Sequence, residues 1–144
     1  MTNIEELIPH RRPFLFVDRV QSATKERTVG YRKFTLEKDQ FFQGHFPDYP
    51  IVPGVVLVET LAQCGGAGVK TLKIYPESSI FFLASIEKAK FRKEVHPNDE
   101  VRLEIENLRL SPKLIKQRGA AYVGEDVVAE AEWLCVIGVD GGAA

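Results

Sequence analysis

Cysteine is scarce in this 144-residue chain: only Cys64 and Cys135 occur, both among apolar neighbours and without CxxC spacing. That excludes a disulfide-stapled scaffold and fits two reduced core thiols in a cytosolic protein better than a metal or disulfide pair. An excess of charge is lacking as well, since 19 Lys and Arg stand against 20 Asp and Glu for a net charge of −1. With no global basic field, nucleic acid is not an expected partner. No apolar run approaches the roughly 20 residues that span a bilayer. The start, "MTNIEELIPH", has acids and no apolar core, so neither a membrane anchor nor a signal peptide is expected. Linkers, low-complexity tracts and internal repeats are missing. So are GxSxG, P-loop and GxGxxG motifs, and the three dispersed histidines do not suggest a metal site.

What is present is an ordinary globular balance, 44% hydrophobic and 27% charged, which fits one domain over residues 1–144 with a real core. "IEEL" before Pro9 predicts one helical turn. "FLFVDRV" and "TVGYRKFTL" predict strands joined through "QSATKER". From Phe41 to Pro53, prolines, glycines and aromatics predict an ordered loop. Pro53 then opens a helix that runs to about Lys73, proline being tolerated at a first helical position. Four strands follow, "SIFFLASIEKAKF", "DEVRLEIENLRL", "LIKQRGAAYV" and "DVVAEAEWLCVI", with a hairpin turn at Gly124-Glu125-Asp126. In "KAKFR", Lys88, Lys90 and Arg92 alternate with Ala89 and Phe91, predicting one wet and one dry face. Val101, Leu103, Ile105 and Asn107 share a face in the same way. One long apolar helix among several strands is buried only if a sheet wraps it. The expected fold class is therefore α+β, a curved antiparallel sheet around one central helix.

The chemistry gathers at that helix. Gly54 N–H lies in its first turn, where amides lack intrahelical acceptors and the dipole favours negative charge. Glycine lets a ligand approach such an amide, which suits an oxyanion or enolate, although Pro-Gly is also an ordinary helix start. Glu59 sits about 7.5 Å further along the axis. No other charge occurs between Gly54 and Val69. Its neighbours on the helix face are Val55, Val56, Ala62 and Gln63, of which Gln63 alone offers a hydrogen bond. Desolvation there favours the neutral carboxyl, a general acid near neutral pH. His45, in "QGHFP", is a candidate proton acceptor. His10 is expected to anchor the amino-terminal turn, and His96 to lie on a turn surface. A base, a neutral acid and a polarising amide suit loss of water from a β-hydroxyacyl compound, while residue chemistry alone leaves other proton transfers open.

"LIPHRRPFLFVDRV", "FFQGHFPDYPIVPGVVLVETLAQ" and "FFLASIEKAKFRKEVHPNDEV" resemble the β-hydroxyacyl-acyl carrier protein dehydratases of type II fatty acid synthesis, FabZ type. The resemblance implies the hot-dog fold and conversion of (3R)-hydroxyacyl to trans-2-enoyl groups in fatty acid or related acyl and polyene synthesis. It implies that His45 and Glu59 are the catalytic pair and that Gly54 N–H binds the thioester carbonyl. It implies a substrate carried on the phosphopantetheine arm of acyl carrier protein, with no cofactor or metal. It further implies a homodimer whose sites take histidine and glutamate from different subunits, often built into hexamers, in the cytoplasm. Glu59, where a related dehydratase/isomerase branch has aspartate, favours the simple dehydratase.

The chain departs from the family's usual wording at "EVHPNDEV", where "PVxPGDQL" is common, and at "AQCGGAGVK", whose Gly65, Gly66 and Gly68 are expected to loosen the later helix. It also lacks the frequent "RGxxWKFxG". An acidic carrier calls for a basic rim, for which Lys88, Lys90, Arg92, Lys93, Arg11 and Arg12 are candidates. Two rivals are a hot-dog acyl thioesterase and a non-catalytic acyl-binding or regulatory module. The GHFP context with both His45 and Glu59 present disfavours each.

Overall fold

Residues 3–139 are described by a computed structural model. Its axis is the helix α3, Gly54–Thr71, which follows the short helices α1, Ile4–Leu7, and α2, Phe41–Gly44. Six strands surround it: β1 (Arg19–Ala23), β2 (Arg27–Lys33), β3 (Ser79–Phe91), β4 (Glu100–Leu110), β5 (Leu114–Val123) and β6 (Asp126–Val139). They form one antiparallel sheet in the order β1-β2-β4-β5-β6-β3, and α3 touches every strand of it. This is the sheet-around-helix arrangement that the apolar run of α3 requires. The terminal residues 1–2 and 140–144 of the expected domain lie outside the described residues.

Packing follows strand periodicity. Val101, Leu103 and Ile105 of β4 face inward with Ala129, Ala131, Trp133 and Cys135 of β6, all buried. Leu57, Val58 and Leu61 of α3 fill the space between them. Each such side chain contributes about 1.5–3 kcal/mol when fully buried. Asn107 shares the inner row of β4 as expected, and its Oδ1 accepts from Gln117 Nε2 at 2.8 Å. Gln117 Nε2 also donates to Gly65 O at 3.1 Å, and its Oε1 accepts from Trp133 Nε1 at 2.9 Å. The β5–β6 hairpin turns on Gly124 and Glu125, with Gly124 at a φ of +61° that glycine adopts without strain.

Several expectations are corrected. Phe14–Asp18 is not strand; β1 begins at Arg19. Leu15, Phe16 and Val17 are all buried, yet Phe14 O and Phe16 N bond to the Gln63 side chain instead of a neighbouring strand. "QSATKER" is mostly strand, with only residues 24–26 between β1 and β2. The loop before α3 contains α2, and Pro53 is the N-cap of α3, its ψ of 138° lying outside the helical region. The helix also runs unbroken through Gly65, Gly66 and Gly68. A Cβ at Gly65 would collide with the Gln117 amide, and one at Gly68 with Thr28, so these glycines are where the sheet closes on the helix. Asn98 sits at φ 73°, a left-handed turn where glycine is natural and asparagine is tolerated.

The largest departure is β3. It is an edge strand, and the dry face read from "KAKFR" is not covered, since Ala89 and Phe91 are exposed; Phe82, Leu83 and Ile86 earlier in the strand are exposed as well. Alternation in sequence marks a face that avoids water without saying what covers it.

Candidate active site

Glu59 projects from the middle of α3 into a cavity of about 320 Å³, walled mainly by Ile8, Phe14, Ala62, Phe81, Phe82 and Cys135. Its side chain is 21% exposed. Gln63, one helical turn on, donates from Nε2 to Glu59 Oε2 at 2.9 Å, as the four-residue spacing predicts. The second Nε2 hydrogen goes to Phe14 O at 2.9 Å, and Oε1 accepts from Phe16 N at 2.8 Å. Both Nε2 hydrogens and the amide oxygen of this buried side chain are therefore engaged. Gln63 fixes the carboxylate and the amino-terminal segment at once.

That segment delivers a residue the sequence reading put elsewhere. His10, expected only to anchor the first turn, has Nε2 3.6 Å from Glu59 Oε2. Burial lowers its pKa below the ordinary 6.5, against the pull of Glu59 and with help from Arg11. Its Nδ1 is buried without a hydrogen-bond partner. "LIPHR" held the histidine, but no spacing rule joins position 10 to position 59; the Gln63 bridge does. Cys135 lies on the same cavity, and burial, with Glu59 nearby, pushes its thiol up to about 12. Burial raises Cys64 to about 12 as well, and both thiols are free, so neither is a ready nucleophile.

His45 occupies a different hollow, with Phe46, Ile51, Gly54, Val55, Phe91 and Lys93. A short helix and a fixed loop hold it there. Arg32 pairs with Asp39 and, at 3.1 Å, with Asp18, while Asp39 Oδ2 accepts from Thr35 N at 2.8 Å. The buried Arg32–Asp39 pair secures the turn into α2, and His45 N then donates to Phe41 O at 3.0 Å. The ring Nδ1 lies 3.2 Å from Ile51 O. A carbonyl can only accept, so Nδ1 carries the proton and Nε2 is left as the basic nitrogen. Beside it, Gly54 N–H has no acceptor among the described residues. A Cβ at Gly54 would come within 2.8 Å of the Phe91 ring.

The structure thus brings together His45 with Gly54 and Glu59 with Gln63, but it does not bring the two pairs into one cavity of one chain. Four of the six candidate rim residues are engaged by neighbouring groups. Lys88 pairs with Glu132 at 3.3 Å, Arg92 with Glu130 at 2.8 Å and Lys93 with Asp126 at 3.1 Å. Arg11 is spent on Ile8 O, His10 O and Glu5 O. His96 is on the surface, as expected, near Glu94 and Asp99.

Comparison with known proteins gives three findings. The FabA-like domain matches residues 8–132. Proteins named 3-hydroxyacyl-acyl-carrier-protein dehydratase FabZ are similar over nearly the whole chain. That of Pelotomaculum thermopropionicum is 42% identical over 95% of this chain and 97% of its own length. That of Koribacter versatilis is 44% identical over 95% and 88%. Among solved structures, the dehydratase heterocomplex ApeI:P from Xenorhabdus doucetiae superposes with a TM-score of 0.83 at 12% identity, covering 97% of this chain and 93% of that one. A hypothetical thioesterase with coenzyme A from Streptococcus pneumoniae reaches 0.63 at 11% identity, covering 84% and 85%. The solved structures share the fold; the curated relatives share the sequence.

Proposed function

Since this chain belongs to the FabZ family of 3-hydroxyacyl-acyl-carrier-protein dehydratases, within the FabA-like domain, we propose that His45, Gly54 and Glu59 perform its elimination at a site shared between two copies of the chain. The protein is a hydro-lyase that dehydrates 3-hydroxyacyl groups on acyl carrier protein in fatty acid biosynthesis. In our reading, His45 Nε2 takes the proton from the carbon beside the thioester. Gly54 N–H, unpaired and at the positive end of α3, holds the oxygen as negative charge gathers on it. Glu59, in its protonated form, gives its proton to the β-hydroxyl, which leaves as water. The enoyl thioester remains, and His45 returns its proton to the glutamate by way of solvent. These three groups complete the reaction, so the reading includes no cofactor and no metal.

The observation that carries the shared site is the separation of His45 and Glu59 onto different hollows of one chain. The uncovered strand β3 supports it, since an exposed edge with an apolar face pairs readily with another chain. The acyl tail then lies in the apolar cavity beside Glu59. Assembly of such dimers into hexamers and a cytoplasmic location, in keeping with two free buried thiols, belong to the same proposal. Among the described residues, no helix is long and apolar enough to cross a membrane. The test is hydration of a crotonyl thioester by purified H45A and E59Q proteins, alone and mixed. Each alone is inactive and the mixture regains activity. Two inactive proteins that stay inactive after proven subunit exchange defeat the shared site.

A further inference from the structure

Glu59, Ala62, Gln63, Gly66 and Lys70 line the acyl cavity and recur along α3 at three- and four-residue spacing, which puts them on one stripe of the helix. Gly66 contributes no side chain to the middle of that stripe, and the Phe81 ring stands opposite, 3.4 Å from where a Cβ would lie. Lys70 closes the far end. Its Nζ donates to Glu77 O at 2.9 Å and to Ser79 O at 2.6 Å, and stands 5.3 Å from the Phe81 centroid. Beyond it opens a second, more polar hollow of about 820 Å³ whose lining includes Glu5, Arg11, Lys73 and Glu77. Leu7, Ile8, Pro9, Lys70, Ser79 and Ile80 border both spaces and form the wall between them. Lys70 is the charged member of that wall.

We propose that Lys70 is the end stop of the acyl pocket and sets the longest chain that the enzyme dehydrates well, an inference that rests on the dehydratase reading above. A tail reaching further must displace an ammonium from two carbonyls and enter a polar hollow. Charge-assisted hydrogen bonds would be broken there, and the tail would exchange a mainly apolar lining for one of mixed polar and apolar groups. Burial lowers the Lys70 pKa, with Glu77 opposing. From Glu59 to Lys70 the helix advances about 16.5 Å. The lysine stem leans back toward the helix start, which leaves roughly 10–12 Å for the tail. An extended chain advances ~1.2 Å per bond, since three backbone bonds span at most ~3.6 Å. About eight to ten bonds beyond the hydroxyl-bearing carbon therefore fill the pocket. A hydroxydecanoyl group fits; a hydroxypalmitoyl group does not.

The test compares kcat/KM for carrier-linked 3-hydroxybutyryl, 3-hydroxydecanoyl and 3-hydroxypalmitoyl substrates. The native protein should prefer hydroxydecanoyl over hydroxypalmitoyl by about tenfold or more, a ratio within reach of pocket contacts. K70A, and K70M should K70A fail to fold, should erase most of that preference through KM. G66V should move it the other way, losing hydroxydecanoyl relative to hydroxybutyryl. Unchanged ratios in the lysine variants overturn the role of Lys70 while leaving the dehydratase intact. Native protein that takes hydroxypalmitoyl as well as hydroxydecanoyl does the same. Native protein inactive on every chain overturns both.

Discussion

Glu59 is gripped by its own chain. Gln63 donates to it, His10 stands beside it, and the segment from Leu7 to Phe16 folds over it. Around His45 the surface is bare by contrast: Phe46, Val55 and Phe91 are 59%, 75% and 54% exposed. Phe46 even holds a φ of 51°, a conformation that costs a non-glycine residue on the order of 1–3 kcal/mol. One half of the site is assembled by folding, the other is held ready and uncovered. The difference teaches where the missing wall must come from. On the proposed reading, one chain supplies the preformed pocket of the acid, and a second chain would supply the cover that the base lacks.

The comparison is broken most forcefully at the two groups proposed to react. E59Q and H45A should each lower kcat by about 10²–10⁴-fold. Their melting curves should stay near the parent's, because neither side chain supports the core. A large loss of stability in E59Q would mean that the carboxyl is structural. Mixing the two variants should recover a measurable share of activity, which only a site drawn from both chains allows.

Q63L comes next and strikes the gripped half alone. It strands Phe16 N–H and Phe14 C=O as well as freeing Glu59. Leaving buried polar groups unpaired costs about 1–3 kcal/mol each, so urea unfolding should show a loss of about 2–5 kcal/mol together with a lower kcat. A fall in activity without a fall in stability would separate the two roles assigned to Gln63. The smallest effect concerns His10. Its folded pKa lies below 6.5, so the native state binds fewer protons there than the unfolded chain. The stability it contributes is present above pH 6.5 and is lost as pH falls from 6.5 toward the lowered value. H10Q should flatten the melting temperature between pH 7 and pH 5 relative to the parent protein.

Much of the fold is legible wherever a local period decides the matter. The inner row of β4, the Gly124 turn and the helix after Pro53 all follow from spacing, and so does the contact of Gln63 with Glu59. Legibility stops where partners distant in sequence supply the hydrogen bonds or the cover. Leu15, Phe16 and Val17 look like strand because they are apolar and bulky, yet a glutamine amide takes the place of the neighbouring strand. Gly65 and Gly68 look like weak points of a helix until Gln117 and Thr28 are seen against them. Lys88, Arg92 and Lys93 look like a docking rim until Glu132, Glu130 and Asp126 are found beside them. His10 reaches Glu59 only through the fold.

By itself the sequence determined that a carboxyl would sit without charged company on a buried helix, that an unpaired amide would open that helix, and that a histidine would precede it. These follow from helix geometry and from the cost of exposing apolar surface, both of which act locally. Only the tertiary structure decided which cavity each group lines, that His45 and Glu59 stand apart within one chain, and that Lys70 closes the pocket. Those depend on segments far apart in sequence meeting in space, and no local period encodes such meetings.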